Sequence, residues 1–198
     1  MSALQIRAKS LVLPLVRGQK NMLSPMDQRV LAAWIAMCTI TSEYFVPSTA
    51  AIPWEDRDRV RHWTMPPQAN WKIWIGNYKR VNWRPYRIHN ALEITEEETT
   101  DRPAVHNSRV PRPNTQTTTL VFGQLFAHVA TSTIPEVVDR LTFPAPVSAI
   151  LAQIWPQPTS ALRWPLVRTM TDSDADSAAA YLYVIRLSGW QPPNPMGA

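Results

Sequence analysis

The stretch Trp71-Lys72-Ile73-Trp74-Ile75-Gly76-Asn77-Tyr78 decides how this chain is read. Trp71, Ile73 and Ile75 alternate with Lys72, Trp74 and Gly76, the period of two that belongs to a β-strand. Pro66 and Pro67 stand just ahead of it, and the residue before a proline is pushed out of helical backbone, so no helix runs in from upstream. A half-buried strand is therefore expected here. Trp71 and Trp74 fall on opposite faces of it, with one of them in the core.

Working outward toward the C-terminus, Tyr86, Ile88, Ala91, Leu92 and Ile94 predict a second strand after a turn at Arg84-Pro85. The run from Thr117 to Thr131 is rich in threonine, valine, leucine and phenylalanine, residues that suit a pleated surface, and predicts the longest strand, with Gly123 allowing a bend or bulge. Between these strands, Glu96, Glu97, Glu98 and Asp101 followed by Pro103, Pro111 and Pro113 read as an exposed loop. Pro135, Pro144, Pro146, Pro156 and Pro158 punctuate a less regular region that holds Trp155 and Trp164. A last helix is expected from near Ser173 to Arg186, with Asp172, Asp174 and Asp176 at the positive end of its dipole.

Toward the N-terminus the period changes to that of a helix. Leu4, Ala8, Leu11 and Leu15 share one face, with Pro14 and Gly18 marking the end. Ser24, Pro25 and Asp27 form a helix start, since serine caps, proline suits the first turn and an acid meets the dipole. Val30, Leu31, Trp34, Ile35 and Cys38 supply its buried face, and Pro47 closes the region. Pro53 to Trp63 predicts a short third helix carrying Arg57 and Arg61 on one side. The expectation is an α+β fold with N-terminal helices, a central mostly antiparallel β-sheet and a C-terminal helix. Residues 1–190 are expected to form a single α+β domain (helical 1–63, sheet-rich 70–165, C-terminal helix 173–187), followed by a flexible tail at 191–198.

At 198 residues and 45% apolar, the chain can bury a core of its own. Nineteen prolines against five glycines predict long irregular connections. The single cysteine, Cys38, cannot form an internal disulfide or a zinc knuckle, which fits a reducing compartment. The apolar run from Leu11 to Val16 is too short for a signal peptide. No stretch reaches the roughly 18 apolar residues that span a bilayer. A cytoplasmic protein is expected, with no membrane among its partners unless it binds one peripherally.

Charge concentrates between Arg57 and Arg87. Arg57, Arg59, Arg61, Lys72, Lys79, Arg80, Arg84 and Arg87 are opposed only by Asp58, so this span carries +7 while the whole chain carries +5. Trp63, Trp71, Trp74 and Trp83 lie among them. A focused positive field attracts polyanions, and aromatic faces between cations can stack on bases. Arg57, Arg61, Lys79, Arg80, Arg84 and Arg87 are the candidate phosphate contacts, with Trp83 for stacking. The bland reading is a solvated face paired across the sheet with Glu96 to Glu98.

No catalytic constellation is spelled out. The histidines His62, His89, His106 and His128 show no metal-ligand spacing, so no metal or other cofactor is expected. His89-Asn90 and His106-Asn107 lack the frame of a nuclease site. There is no Gly-x-Ser-x-Gly elbow, and a thiol buried on a helix, as Cys38 is expected to be, is inert. The five glycines are isolated, which excludes a phosphate-cradling loop.

Met1-Ser2-Ala3-Leu4-Gln5 with Ala8-Lys9, Leu15, Gly18, Leu23, Gln28, Leu31-Ala32 and Trp34 resembles a stretch of uncharacterised bacterial proteins that are similar to HNH endonucleases. Pro66-Pro67, Ile73 to Tyr78, Thr117 to Thr119 leading to Gly123, Ile154-Trp155-Pro156 and Trp164-Pro165 resemble later segments of that family. The resemblance implies a cysteine-knuckle and His-Asn nuclease module ahead of a Cys-Asn-x-Gly-Trp-Met-Ser junction, whose last Met-Ser matches the start of this chain. Catalytic and metal-binding residues would then lie outside the sequence, and none is carried onto it. The expected function is a non-catalytic nucleic-acid-binding (DNA) module related to HNH-type endonucleases. The alternative is a protein-interaction or structural module engaging an acidic partner.

Overall fold

The computed structural model of the chain describes residues 3–62, 68–79, 87–94, 113–141, 143, 145–156 and 160–187, without the side chains of 3, 135, 140 and 181–187. Helix α1 (Ala3–Val16) leads through strand β1 (Asn21–Leu23) into α2 (Pro25–Glu43) and α3 (Trp54–Arg61). Local chemistry starts α2 where the sequence predicts. The Ser24 hydroxyl accepts from the Asp27 N–H at 3.2 Å, and the Asp27 carboxylate accepts from the Ser24 N–H at 2.9 Å, which satisfies two donors that a helix start leaves open.

Strands β2 (Trp71–Tyr78), β3 (Arg87–Leu92), β4 (Thr115–Phe122), β5 (Leu125–Ser132) and β6 (Leu151–Trp155) form one sheet in the order β3-β4-β5-β2-β6. All of these pairings are antiparallel. The short strand β8 (Thr169–Met170) joins parallel to β2 at Asn77 and Tyr78. Helices α4 (Pro135–Arg140) and α5 (Ala145–Ser148) precede β6, and α6 (Asp172–Leu187) follows β8. The α+β fold, the N-terminal helices, the mostly antiparallel sheet and the C-terminal helix all stand as expected.

Three local expectations are corrected. The run from Thr117 to Thr131 is not one strand. It is a hairpin in which β4 and β5 pair from Thr115↔Ser132 to Phe122↔Leu125, and Gly123-Gln124 makes the turn. Gly123 has φ +57°, and a Cβ there would lie 2.4 Å from the Val16 carbonyl oxygen, so a glycine is needed both for the reversal and for the close approach of α1. Second, β2 is buried on both faces rather than half-buried, because helical segments pack on each face of the sheet, and both Trp71 and Trp74 are core. Third, the proline-punctuated region is more regular than expected, since it holds α4, α5, β6 and strand β7 (Leu162–Trp164). In addition, β1 pairs with β7 in a two-stranded ribbon that ties the helical part of the chain to its C-terminal third. The acidic loop and the tail expected at 191–198 lie outside the described residues.

Residue parity assigns the two faces of the sheet. Ile73, Ile75, Leu120, Leu125, Ala127 and Val129 pack with Leu15, Leu31 and Ile35 under the N-terminal helices. Tyr78 and Phe126 face the other way, onto Val147, Ala175 and Ala178, while Trp74 and Ala130 meet Leu141. Helices thus cover both faces. Helix α2 crosses the first face: near its start Gln28 donates to the carbonyl oxygens of Leu23 and Ser160, and near its end Ser42 is held by β3.

Candidate nucleic-acid interface

A helix leaves its last carbonyl groups without intrahelical donors, and the end of α2 is where the candidate arginines converge. Arg87, the first residue of β3, donates from Nη1 to the Ser42 carbonyl oxygen at 2.6 Å. The Glu43 side chain is turned inward and buried. Its Oε1 accepts from the N–H groups of Ala51 at 3.0 Å and Ile52 at 3.1 Å, and its Oε2 is ion-paired with Arg57. Arg57 also donates from Nε to the Ile52 carbonyl at 3.0 Å. His89 bridges the same loop to the sheet. Its Nε2 lies 3.2 Å from the Thr49 carbonyl oxygen and its Nδ1 2.8 Å from the Thr118 hydroxyl. A carbonyl can only accept, so Nε2 carries the proton and Nδ1 accepts from Thr118. Burial holds the His89 pKa below the usual histidine value, which keeps the ring neutral.

These bonds fix the segment from Tyr44 to Pro53 against the protein with Ala51 and Ile52 buried, and leave the apolar side chains at its start and that of the following Trp54 outside. Tyr44 is 71% exposed, Phe45 72%, Val46 41% and Trp54 66%. Two of the rings rest on guanidinium groups: the Arg57 Cζ is 6.0 Å from the Tyr44 ring centroid and the Arg87 Cζ is 5.1 Å from that of Phe45. The result is a shelf of exposed rings backed by cations.

The structure divides the predicted contact residues. Arg57 and Arg87 meet at this shelf but hold it together from beneath, and the charge of Arg57 is neutralised by Glu43; Glu96 to Glu98, the partners of the bland reading, lie outside the described residues. Arg87 has a carbonyl as its acceptor and keeps its charge. Arg61 is exposed at the last turn of α3. Lys79 is exposed just beyond β2, three strands from β3 and so roughly 14 Å away across the sheet. Arg80, Trp83 and Arg84 lie outside the described residues. Tyr44, Phe45 and Trp54 are surface residues that the sequence reading missed. The available signal is Tyr44-Phe45-Val46-Pro47, an apolar run past the end of a helix with no strand to bury it.

Catalytic chemistry finds no support in this region. Among the described residues no group of His, Cys, Asp or Glu could hold a metal ion. Both ring nitrogens of His89 are engaged, His106 lies outside the described residues, and burial pushes the Cys38 thiol up to about 12. His128 is buried with Nδ1 2.8 Å from the Thr119 hydroxyl. No family model, curated protein or solved structure matches the chain.

Proposed function

We propose that this chain binds nucleic acid without cutting it, and that the shelf at the end of α2 is a contact surface. The observation that carries this reading is the placement of Tyr44 and Phe45, each exposed and each backed by a guanidinium. A ring with a cation on its inner side offers the other side to a base, and Arg87 and Arg61 supply charge for phosphates. Base faces are hidden inside a stacked duplex, so single-stranded or opened DNA fits the shelf better than a closed helix. The resemblance to HNH-like proteins supports DNA as the polyanion.

The test is fluorescence anisotropy of a labelled single-stranded oligonucleotide titrated with the chain over a series of salt concentrations. Binding is expected to weaken steeply with salt, and Phe45→Ala and Trp54→Ala are each expected to weaken it about fivefold or more, the lower end for one base–ring stack. Absence of binding at low salt, or binding indifferent to both substitutions, would overturn the reading. One observation favours a protein partner instead: Glu43, Glu55 and Asp58 bring the shelf close to neutral, and exposed Trp and Tyr beside Arg is the composition of a protein-binding hot spot. A stoichiometric protein retained in high salt, with no oligonucleotide binding, is the outcome that selects it.

A further inference from the structure

A second basic, acid-free part of the described surface lies away from the shelf. No acidic residue occurs before Asp27, and none occurs between Asp139 and Asp172. Besides Arg140, whose side chain is not described, these two stretches supply Arg7, Lys9, Arg17, Lys20, Arg163 and Arg168, all exposed. Among the described residues none of the six is in an ion pair.

The fold gathers several of them. Ile6, Lys9 and Leu13 on α1, with Arg17 just past its end, fall on one side of the helix and are exposed, opposite the buried Leu4, Ala8 and Leu15. That outer stripe is roughly 16 Å long at the helical rise. Lys20 follows directly and opens the β1–β7 ribbon, in which Met22 stands opposite Arg163 and both point to solvent. Ile6, Met22 and Met26 are each more than half exposed. Cations and unbranched or branched aliphatic side chains therefore alternate over α1 and the ribbon, with no aromatic ring among them.

That composition separates this surface from the shelf. A nucleic acid would engage the cations but leave Ile6, Leu13 and Met22 in water, since aliphatic side chains give a base nothing to stack on. An anionic bilayer engages both sets: its headgroups attract the cations, and the boundary of its acyl region takes up short aliphatic side chains. No helix among the described residues is long and apolar enough to cross a membrane, so the contact is a peripheral one. We propose that the outer face of α1 and the β1–β7 ribbon is a docking surface for an anionic lipid bilayer. It is independent of the shelf.

The test is co-sedimentation of the full chain with vesicles of phosphatidylcholine alone and of phosphatidylcholine mixed with phosphatidylglycerol. The chain is expected to sediment with the mixed vesicles and to stay in solution with the neutral ones. Arg17→Glu with Lys20→Glu is expected to lower the partition by at least about fivefold for each cation lost. Leu13→Gln with Met22→Ser, which changes no charge, is expected to lower it as well, while Phe45→Ala leaves it unchanged. All these positions are exposed, and an unaltered circular dichroism spectrum verifies the fold of each variant. Failure to sediment with the mixed vesicles overturns the proposal. So does an unchanged partition in the aliphatic variant, which would reduce the surface to a site of charge alone. A charge variant that loses oligonucleotide binding and keeps vesicle binding assigns the surface to nucleic acid and also overturns it.

Discussion

Arg87 closes the end of α2 by donating from Nη1 to the carbonyl oxygen of Ser42 at 2.6 Å, so the first residue of β3 caps a helix that ends 44 positions earlier. A charged donor on a helix carbonyl is worth about 1.5–3 kcal/mol, and the partial exposure of Arg87 places this bond at the lower end. Arg87→Met keeps much of the stem and removes the donor. Its urea midpoint should fall by the equivalent of about 1–2 kcal/mol with the slope unchanged, and an unmoved midpoint would show that the bond adds nothing net.

Glu43 makes a stronger claim on the same junction. Its carboxylate accepts from two backbone N–H groups and pairs with Arg57, whose side chain is only 16% exposed. Removing one partner of a buried pair leaves the other uncompensated, which costs several kcal/mol when both are fully dry. Glu43→Gln keeps an acceptor and should cost about 2–4 kcal/mol; Glu43→Ala should cost more, because Ala51 and Ile52 also lose their acceptor. Adding Arg57→Met to Glu43→Gln should restore part of the loss, and a double-mutant cycle with no coupling would contradict the pairing.

The contrast between these two residues and the sequence reading shows where that reading stops. Starts of helices are legible because a cap is made by residues three apart, as in Ser24 with Asp27. The period of β2 is legible for a similar reason. Its second buried face is not, because the helices that cover it come more than 50 residues later. The hairpin reads as one strand because a run of threonine, valine and phenylalanine continues through the reversal and only Gly123 marks it. Arg57 and Arg87 do lie together, as their charge suggests, but they brace the shelf from beneath and are only partly open to solvent. The groups that engage them, Glu43 and Ser42, are 14 and 45 positions away in the chain, beyond the reach of local pattern. A charge count confined to the span from Arg57 to Arg87 also omits Glu43 and Glu55, which the fold sets beside those cations.

The turn at Gly123 is expected to be intolerant. Alanine there must adopt φ +57° and set its Cβ against the Val16 carbonyl oxygen, which itself accepts from the Gln124 N–H at 2.9 Å. Left-handed strain alone costs about 1–3 kcal/mol, and displacement of α1 adds to it. Gly123→Ala should therefore lower the midpoint of thermal unfolding by several degrees or prevent folding. A change within error would mean that α1 can move away freely.

Asp56 presents a case in which a conservative change should help. Its Oδ2 accepts from the Trp71 indole Nε1 at 2.7 Å, and burial raises its carboxyl above the usual carboxylate range. A charge is not needed for that bond. Asp56→Asn keeps an acceptor while removing the buried charge, and is expected to be neutral or to stabilise near neutral pH. Asp56→Ala leaves the indole N–H without its acceptor and should cost about 1–3 kcal/mol. If the two variants lose stability equally in urea, the carboxylate charge itself is what the site uses.

His128 gives the chain a definite response to acid. It stands on β5 with its Nδ1 on the Thr119 hydroxyl, and the rings of Trp74 and Phe143 have centroids 6.0 and 5.2 Å from its own. None of these neighbours carries charge, and burial lowers the His128 pKa from 6.5 to about 3. The unfolded chain therefore binds a proton at about pH 6.5 that the folded chain refuses until about pH 3. Between those values stability falls as pH falls, by on the order of 3 kcal/mol at about pH 4. His89, also lowered, acts in the same direction, while Asp56, which is raised, opposes it. Urea midpoints measured from about pH 7 down to about pH 4 should decline in the parent and decline less in His128→Gln. Equal slopes in the two proteins would show that His128 becomes protonated in the folded state with little cost, and that the sheet opens there more readily than its packing implies.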